Sequence, residues 1–233
     1  MKSKLTKYLL DFSSFSLTRP VSDKVRLLEI IAVGLTGVGK FIFMDYLNWR
    51  LQFVIFTITA WLIYIHYRYR KDDLVLKDWG FRLDNFNMVF KSMLPFAIVA
   101  VLSFLCIGYV QGTLNLKWHI IPILISYPIW GVVQQFLTIG LVAGNLSTFK
   151  SIRLNKVTVV IITAIFFSLV HYPSGWLMAG TFILALYYAY VYLKSKNLYV
   201  LGILHGWLGA LFYYTVLHQD PFEEVFLTFI NRL

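Results

Sequence analysis

The chain has 233 residues, of which 59% are hydrophobic and only 14% charged, with a formal net charge of +10. Soluble globular domains carry about 25% charged residues, so this composition excludes an ordinary soluble fold and points to an integral membrane protein. The excess of Lys and Arg suggests nucleic-acid binding only until its distribution is followed; it clusters at span ends, with no basic groove pattern, so no nucleic-acid partner is expected.

The first stretch, "MKSKLTKYLLDFSSFSL", has the lysines of a signal peptide. Its apolar run is short, Asp11 breaks it, and no small-residue cleavage site comes after it, so residues 1–26 are expected to remain as a cytoplasmic or interfacial segment. Seven apolar segments then approach the roughly 20 residues needed to cross a bilayer: Leu27–Met44, Leu51–Tyr67, Met93–Val110, Ile120–Val142, Val157–His171, Trp176–Leu193 and Leu198–Leu217. The first carries Glu29 and Lys40 near its ends, and the fifth is short. Between the second and third lies "RYRKDDLVLKDWGFRLDNFNMVFKS", whose charges alternate with Leu74, Leu76, Trp79, Phe81, Phe86 and Phe90. It reads as an interfacial amphipathic stretch. Cys106, the single cysteine, lies in an apolar run and reads as a small core residue. Residues 218–233 form a tail too short to cross again. The expected architecture is all-α: a polytopic transmembrane helical bundle of about seven spans over residues 27–217.

Seventeen of the 21 Lys/Arg residues fall before the first span or in the loops after spans two, four and six. Arg50, Lys117 and Arg232 fall on the other side, and Lys40 lies within a span. The positive-inside rule then puts the N-terminus in the cytoplasm and the C-terminus outside. The plasma (inner) membrane is the expected location, with membrane lipids as immediate partners.

Between Asp84 and Asp220 the sequence contains no Asp or Glu. Proton-driven transporters and metal-dependent hydrolases usually need a carboxylate within the spans, so both classes are disfavoured. The polar residues of the later spans are Gln134, Gln135, Thr138, His171 and His205. Each alone reads as an interhelical hydrogen-bonding group, worth about 0.6–2 kcal/mol in a membrane. Together, on three spans, they read as facing a shared interior. Ser174 in "YPSG" with His205 offers a serine-protease alternative, supported only by a four-residue match.

The ordered set Gln134-Gln135-x-x-x-Ile139, Phe167-x-x-x-His171 and His205-x-x-x-Gly209, preceded by "LKDWGFRL", resembles the CAAX protease and bacteriocin-processing (CPBP, or Abi) intramembrane proteases. The resemblance covers about residues 76–217. That family's pattern is E-E-x-x-x-R, F-x-x-x-H and H-x-x-x-N/D. The resemblance implies an intramembrane endopeptidase homologue acting on membrane-embedded or lipidated peptides, with His171, His205, Gln134 and Gln135 at the catalytic positions. It implies no bound cofactor, leaves a metal ion open, and gives no oligomeric state.

The departures have their own chemistry. In the family the first Glu and the F-x-x-x-H histidine activate water, the second Glu pairs with the Arg, and the last His and Asn/Asp stabilise the oxyanion. Here Gln134 and Gln135 replace the carboxylates, Ile139 the Arg and Gly209 the Asn/Asp. Glutamine has no useful basicity. Once position 135 is neutral, an Arg at 139 would be an unpaired intramembrane charge, and Ile139 avoids that cost. Two functions stay open: hydrolysis with His171 as base, or a pseudoprotease that binds membrane peptides without cutting them. Depth along the spans counts against a shared site, since Gln134 and His205 lie about 12 Å, and His171 about 21 Å, from the cytoplasmic span ends.

Overall fold

The computed structural model describes residues 21–224, and they form an all-helical bundle. Helix α1 runs Asp23–Gly39 and continues as a wider π-type segment, Lys40–Tyr46. Next come α2 (Arg50–Lys71), the short α3 (Val75–Trp79) and α4 (Phe86–Gln111). Helix α5 (Ile120–Gln135) passes into a second π segment, Phe136–Ala143, and ends as Gly144–Thr148. Helices α6 (Lys156–Leu169), α7 (Gly175–Ser195) and α8 (Leu198–Thr215) complete the bundle.

Local sequence sets the helix ends. Ser22, Asn155, Ser174 and Asn197 each accept a hydrogen bond from the backbone N–H three residues on, capping α1, α6, α7 and α8. Gly80 and Gly112 end α3 and α4 at φ 100° and 68°, in the left-handed region where only glycine is unstrained.

All seven expected spans coincide with helices. Five are long and apolar enough to cross a membrane: Asp23–Tyr46, Phe86–Gln111, Ile120–Thr148, Gly175–Ser195 and Leu198–Thr215. The protein is an integral membrane protein. Its outer surface fits that solvent, with Val110, Ile125 and Ile129 each more than two-thirds exposed.

One expectation is corrected. Cys106 is exposed rather than a core residue, because it lies on the outward face of α4. Part of the stretch before α4 packs into the protein. Val75 and Trp79 are buried, and Trp79 packs on Phe136 with ring centroids 5.1 Å apart. Its backbone is fastened to the α7–α8 turn: Leu198 N–H donates to Gly80 O at 2.8 Å, and Tyr192 hydroxyl to Trp79 O at 2.9 Å. Val75 and Trp79 serve the core, while Leu74 and Leu83 stay exposed. The N-terminal segment as far as residue 20, and the tail from residue 225, lie outside the described residues.

The packing that positions the site is the approach of α5 to α8. A Cβ on Gly131 would lie 2.2 Å from Gly202 O, one on Gly202 2.4 Å from Val132 Cα, and one on Gly206 2.5 Å from Pro128 N. Small residues therefore let the two backbones touch, as membrane helix pairs commonly require.

Candidate functional site

The contact at Gly131 and Gly202 fixes the spacing of the two antiparallel helices. Gln134 and His205 stand one turn to either side of it, and their side chains reach across to meet: His205 Nε2 and Gln134 Oε1 are 2.9 Å apart. Amide oxygen accepts, so Nε2 donates and Nδ1 keeps a lone pair. That Nδ1 is buried with no hydrogen-bond partner.

The pair forms part of the wall of a cavity of about 120 Å³. Helix α5 contributes Tyr127, Trp130 and Gln134; α7 contributes Leu177, Gly180, Thr181 and Leu184; α8 contributes His205, Leu208, Gly209 and Phe212. These spacings of three and four residues put one face of each helix on the cavity. Phe104 of α4 and His171 close it.

His171 stands on the turn after α6, whose last helical residue is Leu169. Its Nδ1 is 2.8 Å from Phe167 O. A carbonyl can only accept, so Nδ1 carries the hydrogen and Nε2 presents a lone pair. The Phe167 ring contacts both imidazoles, at 4.9 Å from His171 and 5.5 Å from His205. The structure thus gathers Gln134, His171 and His205 around one cavity despite the mismatch in depth. Helix α6 has only 14 residues, so His171 is reached through a turn and not by a further helical rise.

The other singled-out residues are elsewhere. Gln135 is fully buried, but it is absent from the cavity wall, and neither atom of its amide has a partner. Ile139 is fully buried in the core. Ser174 Oγ caps α7 by accepting from Leu177 N–H, and Ser174 does not line the cavity, so the serine-protease pairing with His205 is not assembled. Glu29, a carboxylate on the first span, is also absent from the cavity. It receives hydrogen bonds from Arg68 and Tyr64 on one oxygen and from Asn145 on the other, the last at 2.7 Å. Among the described residues, no carboxylate lines the cavity.

Sequence reasoning missed Tyr127, Trp130 and Thr181 as wall residues. The signal for the first two was present, since 127, 130 and 134 fall on one helical face. Gly209 has a role visible only in three dimensions. A Cβ there would meet nothing within 4 Å, so the position where the CPBP pattern has Asn or Asp faces open space here.

A neutral amide, two neutral imidazoles with one lone pair each, and aromatic walls can hold an apolar group bearing hydrogen-bond donors. They hold no fixed negative charge to balance a proton taken up by a histidine.

Residues 117–211 match a family model described as type II CAAX prenyl endopeptidase, Rce1-like. No curated protein and no solved structure matches the chain. The matched segment holds Gln134, Gln135, His171, His205 and Gly209. Residues 117–211 are thus similar to the Rce1-like CAAX-protease family, in keeping with what the three motifs resemble.

Proposed function

We propose that this protein is a membrane protein of CAAX-protease descent that holds a membrane-embedded or lipidated peptide at the Gln134–His171–His205 cavity without hydrolysing it. The observation that carries the reading is the amide of Gln134, bonded to His205 at 2.9 Å where a water-activating carboxylate would stand. The cavity volume sharpens it. A cavity of about 150 Å³ holds a single benzene ring, so about 120 Å³ takes one side chain of a longer peptide, not the peptide itself. In this reading residues 27–217 form the bundle, residues 1–26 face the cytoplasm, the C-terminus lies outside, and the plasma (inner) membrane is the site of action; the distribution of Lys and Arg supports that orientation.

A second reading is favoured by one observation. The Phe167 carbonyl holds His171 in the tautomer whose Nε2 can accept a proton from water. Hydrolysis would then run with His171 as base, Gln134 positioning the water and His205 Nε2–H the carbonyl oxygen. The test is cleavage of a quenched transmembrane peptide by purified protein, with binding of the same peptide read by fluorescence. Binding without cleavage, and cleavage gained in Gln134→Glu, is the expected result. Cleavage by the unsubstituted protein that is lost in folded His171→Gln would replace binding by hydrolysis. Absence of both binding and cleavage would remove the peptide reading.

A further inference from the structure

At one end of the bundle, apart from the cavity, three side chains of different chemistry converge. His119 precedes α5, and Asp220 and Glu223 come after α8. His119 Nδ1 lies 2.7 Å from Asp220 Oδ2 and 3.7 Å from Glu223 Oε1, and the three ligand atoms all lie within 4.8 Å of one another. We propose that His119, Asp220 and Glu223 form a binding site for a divalent transition-metal ion of the zinc class, which staples the segment after α8 to the start of α5.

The argument rests on how the donors are held. Asp220 Oδ1 accepts from Tyr214 hydroxyl at 2.7 Å and from the backbone N–H groups of Phe222 and Glu223 at 3.1 and 3.3 Å. Its carboxylate is therefore fixed by one oxygen while Oδ2 points at His119. Metal-binding carboxylates are characteristically oriented by such outer contacts. The His119 ring is held between Trp118, at 4.4 Å, and Phe222, at 4.8 Å. Two donors are thus preset, with side chains only 12% and 5% exposed, while the third is 48% exposed and can swing onto an ion.

One nitrogen and two carboxylate oxygens make a donor set that zinc accepts, with water in the fourth position. Coordination needs the hydrogen of His119 on Nε2, so that Nδ1 offers its lone pair. The approach of Nδ1 and Oδ2, 2.7 Å here, must open by about 0.7 Å, since tetrahedral ligands about 2.0–2.2 Å from zinc stand farther apart than a hydrogen bond. Lys117 Nζ, 3.6 Å from Glu223 Oε1, is the positive charge that the ion replaces beside that carboxylate.

The test uses full-length protein in detergent, stripped with chelator, then titrated with Zn²⁺ and separately with Co²⁺, whose absorption reports coordination. One ion per chain and a higher Tm with zinc are expected. Glu223→Gln, at a half-exposed position where folding should survive, should weaken binding at least about 10-fold, as should His119→Gln; Tyr214→Phe, which removes one of the three hydrogen bonds that orient Asp220 Oδ1, should weaken it by about 10-fold. No stoichiometric binding by the unsubstituted protein would overturn the site and leave a hydrogen-bonded clasp of His119 and Asp220. Binding unchanged in both ligand variants would also overturn it, by placing the ion elsewhere.

Discussion

Two polar regions inside this bundle solve the same problem in opposite ways. Around Glu29 the protein keeps full charges: Arg68 pairs with the carboxylate, Tyr64 and Asn145 complete its hydrogen bonds, and the side chains of the ion pair are 4% and 12% exposed. The Arg68 guanidinium also lies 5.2 Å from the Trp79 ring centre. Around the cavity the protein keeps only neutral groups, Gln134, His171 and His205. A buried charge persists where partners surround it, because its desolvation is then offset. If the cavity holds a peptide side chain, as proposed above, it cannot supply that enclosure permanently, and here the positions of the family's carboxylates are the amides Gln134 and Gln135.

The largest test of this contrast is Glu29→Ala. It leaves Arg68 buried without its partner and should cost about 3–5 kcal/mol, read as a loss of unfolding free energy in detergent. Replacing both partners, Glu29→Leu with Arg68→Leu, should recover most of that loss. A cost below about 1 kcal/mol for Glu29→Ala would mean that the pair is solvated and that the contrast fails.

The cavity side is sharpened by glycines one turn apart on α8. Gly206→Ala drives a methyl into the Pro128 backbone and should cost about 1–3 kcal/mol by overpacking; it should also part Gln134 from His205. Gly209→Ala meets open space and should leave the Tm nearly unchanged. Equal effects of the two substitutions would show that the α5–α8 approach is not what builds the site.

Next come the adjacent glutamines, one partnered and one not. Gln135→Met removes a buried amide that has no hydrogen-bond partner and should stabilise by about 1 kcal/mol, whereas Gln134→Met strands His205 Nε2 and should destabilise by a similar amount. The measurement is chemical unfolding of both variants under one condition. Destabilisation by both would mean that Gln135 is satisfied in the membrane.

The smallest effect is at an exposed ion pair. Arg82 donates to both oxygens of Asp84, at 3.0 and 2.6 Å, and these hydrogen bonds hold the Asp84 carboxyl down at about 2, below its ordinary 3.8. Stability from this pair is present above the unfolded value and is lost as pH falls through the depressed one. Asp84→Asn should therefore lower stability slightly at neutral pH and flatten the acid limb of the stability profile between those two values, the difference vanishing below the depressed one. The exposed pair then stands as a third case, a charge that water tolerates without enclosure. A loss at neutral pH comparable to that of Glu29→Ala would erase the distinction between buried and exposed pairs.

Much of the bundle is legible in the chain. Apolar runs near bilayer length forecast the helices, because a backbone in lipid must satisfy its hydrogen bonds within each segment. Glycines 202, 206 and 209 read as a close helix contact, which the first two make and Gly209, facing open space, does not; the order of the three motifs names Gln134, His171 and His205 around the cavity. The stretch containing Trp79 is ambiguous, since its mixture of charge and aromatics fits an interface as well as a core that closes over part of it. The motif puts Gln135 beside Gln134, yet adjacent helical positions point some 100° apart, and only one of them faces the cavity.

Composition and periodicity therefore determined by themselves that the protein is helical and lives in a membrane, because these properties depend on each segment's own solvent. Only the tertiary structure decided that His171 reaches the Gln134–His205 pair, that Glu29 serves Arg68 and not the cavity, and that His119 meets Asp220. Those facts depend on distances between segments far apart in sequence, and packing sets them through where two glycine backbones touch and where a short helix stops.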